Sequence, residues 1–61
     1  MKITDLEGNQ ILNGVSDHDE ILAALKNEGT IKSTNDYIID EDMPGTYVIT
    51  NGINEVAIIY D

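Results

Sequence analysis

The chain has 61 residues, 12 of them Asp or Glu against three Lys and no Arg, for a formal net charge of −9. That length leaves room for one small domain, since typical domains run to about 100–150 residues. The absence of Cys excludes disulfide staples and thiolate metal sites, and the charge excludes a basic nucleic-acid binder. Seventeen residues are Ile, Leu or Val, a larger share than the roughly 20% below which a highly charged chain stays unfolded. A small acidic binding domain is the expectation, spanning residues 1–61.

In chain order, Lys2 to Leu6 reads as a strand, followed by Glu7-Gly8-Asn9 and a second run from Gln10 to Val15. Gly-Asn between two short runs predicts a tight hairpin. Asp5 and Asn13 interrupt the apolar alternation, so the register of that hairpin stays open. The acid at position 5 also comes too early for the apolar run of a signal peptide. No apolar stretch reaches the ~18 residues of a membrane span, and the expected location is the cytoplasm.

Ser16-Asp17-His18-Asp19-Glu20 carries the features of a helix start. Ser16 can cap with Asp19 three residues on, and Asp17 with Glu20 at the same spacing. Acids in the first turn complement the positive end of the helix dipole. Ile21, Leu22 and Leu25 then form one apolar stripe, and Gly29 supplies a left-handed stop. The predicted helix has about three turns, from near Asp17 to Glu28.

Thr30 to Asn35 is polar and reads as a loop or a short edge strand. Tyr37 to Asp40 and Thr46 to Thr50 read as strands around a turn containing Pro44-Gly45, and Asn51-Gly52 leads into a last strand from Glu55 to Tyr60. Two signals compete at the middle turn. A two-residue Pro-Gly turn aligns Asp40 with Ile49, whereas matching apolar faces aligns Ile39 with Ile49. The sum is an α+β domain in ββαβββ order, a mostly antiparallel sheet with one helix on one face.

Catalytic chemistry finds little support. His18 is the one imidazole, set among Asp17, Asp19 and Glu20, and its spacing to Ile21, Leu22 and Leu25 suits a ring edging the core. An EF-hand loop begun at Asp40 would place Pro44 and Asn51 at its fifth and twelfth positions, where ligands belong. Asp17, Glu20 and Asp40 could pair as acid and base, yet a chain this short with one helix suggests no pocket of ~300 Å³ or more. The five glycines are spread singly rather than gathered in a phosphate loop. The expectation is a non-enzyme with no cofactor and no metal.

The apolar dipeptides say more. Successive strand residues face opposite ways, so Ile38-Ile39 and Ile58-Ile59 each put one isoleucine on either side of the sheet. One helix covers one side only, which makes Ile38, Ile39, Ile58 and Ile59 candidates for a partner or dimer contact. The acids Asp17, Asp19, Glu20, Asp40, Glu41 and Asp42 are the candidate charged contacts. They would attract a basic protein surface and repel nucleic acid and anionic membrane.

In size, charge and mixed build the chain resembles the small acidic inhibitors made by phages and mobile elements. That resemblance rests on no motif and names no family. It implies an acidic module that masks the basic, nucleic-acid-binding surface of a partner by phosphate mimicry. The alternative is a small structural domain that homodimerises through its uncovered sheet face, with acidity serving solubility alone.

Overall fold

The computed structural model describes residues 1–12, 14–15 and 17–61. They form β1 (Lys2–Thr4), β2 (Gln10–Leu12), α1 (His18–Asn27), β3 (Ile38–Met43), β4 (Thr46–Thr50) and β5 (Glu55–Tyr60). The strands make one antiparallel sheet in the order β2-β1-β5-β4-β3. The order is thus ββαβββ, the α+β arrangement expected from the sequence. The α1 segment joins β2 at one edge to β3 at the other, so the helix crosses a single face.

The helix starts and stops as its residues dictate. Asp17 is the N-cap in extended conformation, and its side chain accepts from the Asp19 N–H at 3.1 Å. The alternative cap, Ser16, and the break at Asn13 lie outside the described residues. At the other end Gly29 adopts φ +82°, and its N–H donates to the Lys26 carbonyl at 3.1 Å. Thr30 donates to the Leu25 carbonyl at 2.9 Å. Those two bonds are the Schellman pair, which satisfies carbonyls the helix leaves open. The segment 30–35, left between loop and strand by composition, is loop.

The stripe formed by Ile21 and Leu25 packs on Ile3, Ile49, Ala57 and Ile59 from the sheet and on Ile31 after the helix. Each of these is at most 2% exposed. Burial of each large aliphatic side chain contributes about 1.5–3 kcal/mol.

The register of β3 and β4 settles the competition at Pro44-Gly45. Ile39 pairs with Ile49 and Glu41 with Tyr47, as the apolar faces require, yet Met43 pairs with Thr46, as a two-residue turn requires. Both hold because the ladder shifts between Glu41 and Met43, leaving Asp42 as the extra residue of a β-bulge. A second shift makes Val56 the extra residue opposite β4. The Asn51-Gly52 connection is not a two-residue turn but a four-residue loop over 51–54. The Asn51 carboxamide accepts from the N–H groups of Ile53 and Asn54 at 2.9 and 2.8 Å, which holds the wider loop as an Asx turn does.

Candidate protein-binding surface

The acids predicted as contacts occupy two elements. The predicted strand ended at Asp40, but β3 runs on to Met43, so Asp40, Glu41 and Asp42 all lie within it, on the outermost strand at that side of the sheet, and all three are exposed. The turn itself is confined to Pro44-Gly45, because the bulge lets pairing continue through Met43. Asp17, Asp19 and Glu20 are exposed at the start of α1.

Tyr47 connects the two groups. Its cross-strand partner is Glu41, and its ring meets the His18 imidazole edge-on, with centroids 4.6 Å apart at 78°. His18 Nε2 lies 3.7 Å from an Asp61 carboxylate oxygen, and Asp61 is held by its N–H donating to the Gly45 carbonyl at 2.9 Å. Burial, then the charges of Glu41 and Asp61, push the Tyr47 phenol above its ordinary value of 10.0. The first turn of the helix, the outer strand and Asp61 therefore share one margin of the molecule. Asp61 was missed in the sequence; only the β4–β5 pairing brings it beside the Pro-Gly turn. His18 edges the core here, as its spacing suggested.

The isoleucine dipeptides split across the sheet. Ile39 and Ile59 point to the helix side, where Ile59 is fully enclosed and Ile39 is packed against the core. As contacts for a partner they are corrected: the helix already covers them. Ile38 and Ile58 point to the other side, Ile38 being 59% exposed. Val48 stands between Ile58 and Asp40 in the same row of pairs, and Tyr60 lies one row further along β5. The uncovered face is thus an apolar strip bordered at β3 by Asp40.

A groove of about 610 Å³ opens where α1 ends, lined by Ile31, Lys32, Asp36, Tyr37 and Asn51 among others. Its volume overturns the expectation that a chain of this size lacks such a concavity. The irregular stretch between α1 and β3 and the wide 51–54 loop leave the space. His18 stands at the opposite end of α1, about 15 Å along the axis, and is not among the groups lining the groove. Among the described residues no three His, Cys, Asp or Glu side chains stand together to hold a metal ion, and no helix is long and apolar enough to cross a membrane.

No family model matches the chain, and neither curated proteins nor solved structures give a match.

Proposed function

We propose that the chain is a non-catalytic, acidic protein-binding module that acts in the cytoplasm by occupying a basic, nucleic-acid-binding surface of a partner. The observation that carries this reading is the acidic margin: Glu41 and Asp61 flank Tyr47, Asp40 and Asp42 are exposed on the same strand as Glu41, and Asp17, Asp19 and Glu20 are exposed on the helix start whose His18 touches Tyr47, in a chain of net charge −9. Carboxylates spaced along a strand and a helix turn would take the place of phosphates against Lys and Arg. Such a surface also speeds encounter with a basic partner at low ionic strength.

The test uses the chain as bait in a bacterial lysate at low salt, followed by a high-salt wash. The expected capture is a basic nucleic-acid enzyme, released by salt and displaced from its duplex by the purified chain. The variant Asp40→Asn/Glu41→Gln/Asp42→Asn should displace it at least about tenfold less well, equivalent to ~1.4 kcal/mol. Capture that ignores both salt and the variant would refute electrostatic mimicry.

A second reading is favoured by the exposure of Ile38 beside Val48 and Ile58. On it, two copies pair through the uncovered sheet face. A sedimentation experiment giving only monomer at high micromolar concentration would remove it.

A further inference from the structure

We propose that the partner engages this chain by adding a basic extended segment to the open edge of β3, so that the contact is a strand-to-strand ladder as well as a charge match. The inference rests on the acidic-module reading and specifies how that module binds. It starts from the sheet order. Among the described residues β3 has β4 on one side and no strand on the other, so half of its main-chain donors and acceptors face an open edge. Its six residues span about 20 Å. Every one of them except Ile39 is exposed. The opposite edge, β2, has only three residues, too few to template much.

Charge selects the occupant. Edge strands commonly carry charges that discourage self-association, and here half of the strand is acidic: Asp40, Glu41 and Asp42. A second copy laid antiparallel on β3 would set carboxylates opposite carboxylates, which destabilises a ladder. A strand bearing Lys or Arg reverses the sign of each of those contacts. The bulge at Asp42 bends the far end, so the regularly paired stretch Ile38 to Glu41 is the template. Ile38 and Asp40 share the uncovered face, while Glu41 points to the helix side beside Tyr47. The fitting segment therefore has four positions: an apolar residue opposite Ile38, any residue opposite Ile39, then Lys or Arg opposite Asp40 and Glu41. Backbone bonds supply the affinity and these side chains the selection.

The test uses three synthetic peptides of identical side chains built on that pattern. One is unmodified. The other two are N-methylated on alternate residues, in opposite phases. In a strand alternate amides point to opposite edges, so only one phase blocks the ladder. The expected result is that one methylated peptide binds like the parent and the other at least about tenfold more weakly. The parent should also slow amide exchange in Ile38 to Glu41. Equal binding of both methylated peptides, released by salt, would overturn strand addition while leaving the acidic-module reading standing. Failure of all three to bind even at low salt would overturn both. In Asp40→Lys/Glu41→Lys, which leaves every described core side chain in place, preference should switch to a peptide with Glu at the two basic positions. An unchanged preference would count against the proposal.

Discussion

Asp5 organises the first hairpin with one side chain. Its Oδ1 accepts from the N–H groups of Glu7 and Asn9, both at 2.9 Å, and Oδ2 accepts from the Asn9 carboxamide at 3.3 Å. Its own N–H donates to the Asn9 carbonyl, and Gly8, at φ +93°, donates back to the Asp5 carbonyl. The backbone hydrogen bond from Asn9 is the main reason the carboxyl lies below its ordinary 3.8, opposed by partial desolvation. A lowered folded value means the ionised group favours the fold above pH 3.8 and loses that contribution as pH falls through the lower value. Asp5→Asn keeps an acceptor in place but removes the titration. Thermal melts from neutral to strongly acidic pH should therefore show the wild type ahead above pH 3.8 and the two converging below it. A constant gap would mean the charge is immaterial. Tyr47 gives the opposite limb. With its phenol raised, stability is intact below pH 10.0 and declines as pH climbs through the higher value, a decline that Tyr47→Phe should lessen.

Among the elements, the helix supplies two of the seven buried core side chains, Ile21 and Leu25. A 61-residue fold at ~0.05–0.15 kcal/mol per residue holds only about 3–9 kcal/mol. Leu25→Ala, at a position with no exposure, should remove about 2–5 kcal/mol, a large share of that total, and urea titration should find the unfolding midpoint sharply lowered. Gly29 tests the helix stop without touching the core, since a Cβ there meets nothing within 4 Å. L-Ala should cost about 1 kcal/mol, whereas D-Ala, which prefers positive φ, should match or exceed glycine in a chemically synthesised chain. The helix was legible in the sequence because its cap, stripe and stop are all local. The loop at Asn51 was not, because the Asn-Gly pair suits a two-residue turn, while the Thr50 hydroxyl and the Asn51 carboxamide tie a longer one. Thr50 Oγ1 donates to the Asn54 carbonyl at 2.8 Å and accepts from the Gly52 N–H at 3.0 Å, bonds that neither strand pattern announces.

Across the whole molecule, net charge −9 on 4026 Å² of surface makes self-repulsion a standing cost. Added salt screens it, so the melting temperature of the free chain should rise between low salt and ~0.5 M, where the screening length is only a few ångströms. A flat response would show that the charges are spread too evenly to matter. Any complex with a basic partner should respond in the opposite direction. The sheet order belongs to this scale as well. Pairing β1 with β5 joins Ile3 to Ile59 across nearly the entire chain, and no local pattern in either strand names the other. The acids of the candidate surface were readable as residues, but the approach of Glu41, Asp61 and His18 to Tyr47 was not, because it depends on how β4 pairs with β3 and β5 and on where α1 crosses the sheet.

The bulge in β3 makes one position of the chain expendable. Removing Ile39 would reverse the facing of a neighbour, bringing either Ile38 or Asp40 round to meet Ile49. Removing Asp42 would do neither. Ile39 would still meet Ile49, Glu41 would still meet Tyr47, and Met43 would still meet Thr46 across the same Pro44-Gly45 turn. A chain shortened by that one residue has an uninterrupted hairpin and the same core, with one carboxylate fewer. Length variation at this point is silent to the fold, and a 60-residue version lacking Asp42 should fold as the parent chain does.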